Sequence, residues 1–231
     1  MIINSSKCIF LFITFILVKS SINAQQVYIE TGFSSAFFKD YENNLGKNTL
    51  DLNYSKSQES FLESGFRFDL YEDRIKLDLG LSYSKYKINT GFYAGSVSVP
   101  MTYDLSYFNL KIGGVFNIVN EQVFKIQIHS HLSYDWLTSG TNSYRDLVID
   151  LDKDNTFDKT LLRLHRGLSA ECTISKEISI YISYNVADSF KENDKDSNMG
   201  EKYSLYTNTF SLGLLFDISK NMSRLWNRFR R

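Results

Sequence analysis

The chain has 231 residues, with 26 basic side chains balanced by 26 acidic ones. That balance gives no electrostatic reason to expect nucleic acid as a partner. Fifteen Tyr, eighteen Phe and a single proline, Pro100, suit an all-β protein with long strands. No later stretch approaches a transmembrane helix, so this chain can span a membrane only as a closed β-barrel.

The first 24 residues read as a secretory signal peptide. Lys7 precedes an apolar run from Cys8 to Val18, and Ser20, Ser21, Asn23 and Ala24 supply a small-residue exit. The run is too short to cross roughly 30 Å of hydrocarbon as a helix. Cleavage removes Lys7 and Lys19 and no acids, taking Lys+Arg from 26 to 24 against 26 acids. Cys8 leaves too, so Cys172 alone remains and no intramolecular disulfide is possible in an exported chain.

At a period of two, residues 27–38 form a first strand. Val27, Ile29, Phe33 and Phe37 face one way, and Tyr28, Glu30, Gly32 and Ser34 the other. A polar connection over 39–57 leads to a second strand, 60–70, with Leu62, Phe66 and Phe68 opposite Glu63, Gly65, Arg67 and Asp69. The tight turn 71–74 opens a third strand, 75–87, whose Ile75, Leu77, Leu79, Leu81 and Tyr83 oppose Lys76, Asp78, Gly80 and Ser82. A Gly- and Ser-rich connection, 88–102, holds Pro100. The fourth strand, 103–118, sets Phe108, Leu110, Ile112 and Phe116 against Asn109, Lys111, Gly113 and Asn117.

A short link over 119–122 leads to the fifth strand, 123–137. Phe124, Ile128, Leu132, Tyr134 and Trp136 oppose Lys125, Gln127, His129, His131, Ser133 and Asp135. After a long connection, 138–158, the sixth strand, 160–174, places Leu162, Leu164, Leu168 and Cys172 opposite Arg163, His165, Gly167, Ser169 and Glu171. Arg166 interrupts its apolar face near the loop end. The turn 175–177 precedes a seventh strand, 178–187, with Ile178, Ile180, Ile182 and Tyr184 opposite Ser179, Tyr181, Ser183 and Asn185. A charged connection, 188–202, leads to the last strand, 207–218. There Phe210, Leu212, Leu214, Phe216 and Ile218 face away from Thr207, Ser211, Gly213 and Leu215.

A soluble lipocalin-like barrel would bury the apolar faces and show the charged ones to water. Three features favour the opposite arrangement. The strands are longer than a small soluble barrel needs. Phe37, Tyr83, Phe108, Tyr134, Trp136, Tyr184 and Tyr206 sit on apolar faces near the long-loop ends, where an interfacial girdle belongs. Between Phe124 and Tyr134 the apolar face, rising about 3.4 Å per residue at a tilt near 40°, covers roughly 26 Å, close to a barrel's apolar band. The polar faces carry both signs, so opposite charges can satisfy one another inside a narrow barrel. The expected lumen network is Glu63, Arg67, Asp69, Lys76, Asp78, Lys111, Lys125, His129, His131, Arg163 and Glu171, with Tyr181 beside it.

The end of the last strand, Ser211-x-Gly213-x-x-Phe216-x-Ile218, resembles the C-terminal signal of bacterial outer-membrane barrels. The mature chain as a whole resembles small eight-stranded barrels of the OmpA/OmpX type. It departs from them in running thirteen residues past Ile218, where the family often ends. The resemblance implies an all-β fold over residues 25–219, an eight-stranded antiparallel up-and-down transmembrane β-barrel with short periplasmic turns and long outer loops. It also implies outer-membrane lipid as surroundings, and barrel-assembly machinery and periplasmic chaperones as partners during biogenesis. Residues 220–231 form a basic amphipathic tail, with Met222, Leu225, Trp226 and Phe229 at helical spacing. The role expected is non-enzymatic, structural or in recognition of an extracellular partner.

Two patterns suggest chemistry. His129, His131, Ser133 and Asp135 share one face, and some small outer-membrane barrels are lipid A deacylases with a His-x-Ser pair. Same-face neighbours on a strand lie about 6.8 Å apart, too far for a nucleophile and its base, and these face the lumen rather than lipid. A hydrogen-bonded lumen network is the expectation instead. In the third long connection, Asp150, Asp152, Asp154 and Asp158 follow the early spacing of a calcium loop. The twelfth position is Leu161 rather than a bidentate Glu, which favours a solvated acidic loop with no cofactor.

Overall fold

The computed structural model describes residues 25–43, 46–47, 57–94, 97–144, 147–153, 157, 159–190 and 202–218. Residues 1–24, the tail from 219 onward, Asp154 and Asp158 lie outside the described residues. Among the described residues, ten strands form one antiparallel sheet: β1 (Gln25–Asn43), β2 (Gly46–Lys47), β3 (Gln58–Tyr71), β4 (Ile75–Ala94), β5 (Val97–Asn120), β6 (Phe124–Tyr144), β7 (Leu147–Asp150), β8 (Thr160–Thr173), β9 (Ile178–Ser189) and β10 (Lys202–Asp217). Each long strand pairs with the next, and β10 returns to β1 over a ladder from Gln26↔Asp217 to Glu42↔Lys202. That last pairing closes a ring of eight strands in up-and-down order, with β2 and β7 as short additions at the loop end. Closure removes the free sheet edges that a hydrocarbon environment could not satisfy.

The short connections behave as tight turns. Glu72 and Asp73 both take positive φ, 42° and 56°, and Arg74 N–H donates to the Tyr71 carbonyl at 2.8 Å. Such a two-residue turn matches the twist of its flanking strands and fixes their register.

The long connections are shorter than the sequence suggested. Residues 88–102 are not an irregular loop: β4 and β5 stay paired from Ile75↔Phe116 to Ala94↔Val97. Likewise β6 runs on to Tyr144 and turns back into β7, so much of 138–158 is a hairpin. The period-two pattern persists here, with Tyr86, Ile88, Val99, Tyr103 and Leu105 all buried. Pro100 does not break β5 because it lies beyond Met101↔Tyr144, where β6 pairing ends. It faces only Gly91 of β4, as an edge proline can.

Outside and inside are reversed relative to a soluble protein. Phe33, Leu62 and Leu168 are 60%, 58% and 56% exposed, whereas Lys76 and Arg163 are fully buried. Exposed Leu, Ile and Phe run round every strand of the ring, a belt far larger than the few hundred Å² of apolar patch a soluble monomer shows. Tyr83, Phe108, Tyr134, Trp136 and Tyr184 point outward at its loop end, with Phe108 and Trp136 in ring contact at 6.1 Å. Hydrocarbon is the solvent that such a surface fits.

Candidate functional site: the barrel interior and its mouths

The inward faces meet in layers. At the short-turn mouth, Asp73 accepts from Lys125 at 2.6 Å and lies 2.7 Å from Lys76, which also approaches Asp69 at 3.3 Å. Partial burial pushes the Asp73 carboxyl up, but the hydrogen bonds and charges of Lys125 and Lys76 outweigh it and hold the group below the ordinary carboxylate range. Asn117 adds a hydrogen bond to the Asp73 carbonyl. This turn residue, absent from the expected network, ties Lys76, Lys125 and Asn117 together at the rim of a cavity of about 270 Å³.

One level up, Arg67 grips Asp78 with two parallel bonds, Nε to Oδ1 at 2.7 Å and Nη2 to Oδ2 at 2.8 Å. Its guanidinium lies 5.9 Å from the Tyr28 ring and 5.8 Å from the Tyr181 ring, and 3.8 Å from Glu171. Gln127 donates to both Asn117 and Glu171 at 2.9 Å and accepts from Ser169 at 3.0 Å. Glu63 accepts from Lys111 at 2.5 Å and from Tyr28 at 2.8 Å. Glu30 accepts from Tyr181 at 2.7 Å, from Ser183 at 3.1 Å and from Ser211.

Inward-facing glycines make these long reaches possible. Tyr181, Gly213 and Glu30 stand in register on β9, β10 and β1, and a Cβ at Gly213 would collide with the Tyr181 ring. The ring therefore passes over a strand to reach the next one. Tyr28 likewise lies over Gly65 and Gly80 on β3 and β4. His129 spans Gly167 to Asn185 at 2.5 Å, and His131 spans Gly113 to come within 3.5 Å of Asp78. Each bare backbone lets a long polar side chain lie flat across the lumen.

Higher still, Arg163 pairs with Asp135 at 3.2 Å and donates to Tyr86 at 3.0 Å and to Thr207. Asp135 is thus the counter-ion of Arg163, a role the sequence had left to Glu63, Asp69, Asp78 and Glu171. Above this level the interior turns apolar: Tyr86, Ile88, Tyr103, Leu105, Tyr107, Leu137 and Leu205 pack with Leu151 and Phe157 from the β7–β8 connection. The polar lumen is therefore capped by a small hydrophobic core at its loop end. The space left among Glu30, Glu63, Lys111 and His165 is only about 30 Å³, room for a water or two.

The structure splits the candidate chemistry. Ser133 bonds not to a histidine on its own strand but to His165 Nε2 on β8, at 2.8 Å. A nucleophilic triad needs the acid on the imidazole, yet Asp135 is taken by Arg163. In the β7 hairpin, the Asp150 carboxylate pairs with Lys153 at 2.9 Å and accepts from the Asp152 backbone N–H at 3.1 Å. The Lys153 hydrogen bond holds Asp150 below its ordinary range. Among the described residues, no cluster of His, Cys, Asp and Glu is placed to hold a metal ion. Of the C-terminal motif, Ser211 and Gly213 point inward onto Glu30 and Tyr181. Phe216 pairs with Val27 across the closing seam, and Ile218 follows the end of β10.

In sequence the chain matches no protein-family profile and no curated protein. In shape it is similar to solved outer-membrane barrels. Neisserial surface protein A (NspA) is 8% identical, over 82% of this chain and 96% of that one, with a TM-score of 0.47. OprG of Pseudomonas aeruginosa is 12% identical, over 84% and 97%, at 0.46. Ail, the attachment invasion locus protein of Yersinia pestis, is 12% identical, over 83% and 97%, at 0.42. The chain is an eight-stranded transmembrane β-barrel. What makes it one is its own closed ring, apolar outside and charged within.

Proposed function

We propose that the protein is an integral outer-membrane barrel without enzymatic activity, which carries a recognition surface outside the cell. The observation behind this reading is the division of the barrel. Its interior is filled by paired charges and an apolar cap, while its polar outer surface lies on hairpins that rise past the girdle of Tyr83, Phe108 and Trp136. Between β4, β5, β6 and β7 those hairpins form a cleft of about 580 Å³ lined by Lys85, Lys87, Asp104, Thr138, Thr141 and Asp150. Mixed charge and hydroxyl groups in a concave site suit a polar extracellular partner. The inward-facing Ser133–His165 pair supports no rival hydrolase, because neither residue opens to lipid and, among the described residues, no acid orients the imidazole.

Planar-bilayer recording tests the closed interior. Purified protein should show no stable, large conductance step, since eight strands enclose little more than their own side chains. Steady porin-sized currents would overturn the proposal.

A further inference from the structure

Four successive strands across the closing seam each send one outward side chain to the same place near the loop end. β8 supplies Arg166, β9 Asp188, β10 Tyr206 and β1 Lys39. Arg166 Nη2 donates to Asp188 Oδ2 at 2.6 Å, and Lys39 Nζ lies 4.0 Å from Oδ1 of the same carboxylate. Lys39 also stands 5.9 Å over the Tyr206 ring, which packs on Phe37 at 4.6 Å.

Arg166 is a charged side chain set inside the apolar face of β8, with Leu164 and Leu168 on either side. Its ladder partners are Ser130 and Val186, but its guanidinium reaches on toward the loop end to Asp188, which stands opposite Leu164. That is how a long cationic side chain rooted in hydrocarbon brings its charge to the headgroup layer. One carboxylate between two cations leaves a net positive charge. Arg166 and Lys39 stay 59% and 53% exposed, so most of their donors point away from the barrel.

We propose that Arg166 and Lys39 together bind the phosphate of a phosphorylated lipid headgroup in the leaflet on the loop side. The proposal rests on the barrel spanning a membrane. A guanidinium offers phosphate oxygens a planar fork and an ammonium adds a point charge. The acyl chains of such a lipid would lie along Leu164, Leu168, Tyr184 and Phe210, whereas a free anion gains none of that contact. A self-contained ion pair would need only Arg166 and Asp188. It would not require the second cation on the far side of the same carboxylate.

Native mass spectrometry of the protein in micelles holding equal amounts of phosphatidic acid and phosphatidylcholine tests the site. Wild-type protein should retain phosphatidic acid over phosphatidylcholine by about tenfold, the effect of one added charge pairing. Arg166→Gln with Lys39→Gln should abolish that preference. Asp188→Asn should raise it, because a competing negative charge is gone. Unchanged preference in the double variant overturns the site, as does a loss of preference in Asp188→Asn. Full displacement of phosphatidic acid by millimolar inorganic phosphate would make it a soluble-anion site and overturn the lipid assignment. Each protein is first checked for flotation with phosphatidylcholine vesicles and for heat-modifiable gel mobility. A wild-type protein that does not float refutes the membrane reading itself; one that floats without headgroup preference refutes only this site.

Discussion

Replacing Arg67 by methionine takes away the best-connected charge in the lumen. The variant leaves Asp78, 4% exposed, without either of its two guanidinium bonds, and Glu171 without its nearest cation. Breaking a buried ion pair from one side costs about 3–5 kcal/mol, because the surviving charge stays desolvated. Loss of the stacking between Tyr28 and Tyr181 adds to this, and methionine packing returns part of it. The expected destabilisation is therefore about 3–5 kcal/mol, roughly a hundred- to several-thousand-fold in the unfolding constant. Asp78→Asn alone should cost nearly as much, for the mirror reason. The double variant should lose far less than the sum, with a coupling of about 2 kcal/mol or more. Urea unfolding of vesicle-inserted protein, followed by tryptophan fluorescence, measures all four corners of the cycle. About 1 M salt should not imitate the loss, since the pair is shielded from solvent. A single variant within about 1 kcal/mol of wild type, or additive losses, would refute the idea that this pair holds the barrel together.

Gly80→Ala should destabilise by about 1–3 kcal/mol, because the new methyl meets the Tyr28 hydroxyl and Glu63. Tyr28→Phe, which removes that hydroxyl, should recover part of the loss in the same urea assay; no recovery would mean the strain lies elsewhere. Asp73 is held ionised below its ordinary range in the folded state. Its contribution to stability is therefore present above the unfolded carboxylate pKa, about 3.9, and is lost as pH falls through the lower folded value. The difference between wild type and Asp73→Asn should be constant above about pH 5 and shrink below about pH 4; a difference that grew on acidification would show the opposite sign. Epitope tags at Asn48, Gly95 or Asp194 should be reachable on intact cells, and tags at Asp73, Asn120 or Lys176 should not. In the third hairpin the tag belongs at Arg145, between β6 and β7, since Asn142 is buried within β6. Labelling at Asn120 without permeabilisation would invert the topology.

The faces of the strands were legible because a period of two is a local property. Leu77, Leu79 and Leu81 alternate with Lys76, Asp78 and Gly80 whatever the register, and the ring keeps that order. The loop ends were not legible, because glycine, serine and Pro100 look like a loop signal from composition alone. Whether a proline breaks a strand depends on whether a neighbour needs its missing N–H. At Pro100 none does, since β6 has already turned away. Part of the apolar cap was hidden in the same way: Ile88, Leu151 and Phe157 sit among residues that read as connection, and only continued pairing of β4 with β5 aims Ile88 inward.

The ion pairs divide by a physical criterion. Arg67–Asp78 and Lys76–Asp69 sit beside the two-residue turn at Glu72 and Asp73, so the turn and the register shift between Asp69 and Tyr71 next to it set them opposite one another. Such pairs can be counted from the sequence once the turn is recognised. Arg163–Asp135 joins strands separated by a long connection, where no turn fixes the register. Lys111–Glu63 and Tyr181–Glu30 cross a strand altogether. Their geometry depends on how far the whole sheet staggers as it closes, a property no single segment holds. The inward glycines narrow that gap. Gly65, Gly80, Gly113, Gly167 and Gly213 all fall on the polar faces, and at each a side chain lies across the backbone, from the adjacent strand at Gly65, Gly113, Gly167 and Gly213 and from two strands away at Gly80. A glycine on the inward face of a narrow barrel is therefore a signal that a long polar residue beside it pairs with the strand beyond.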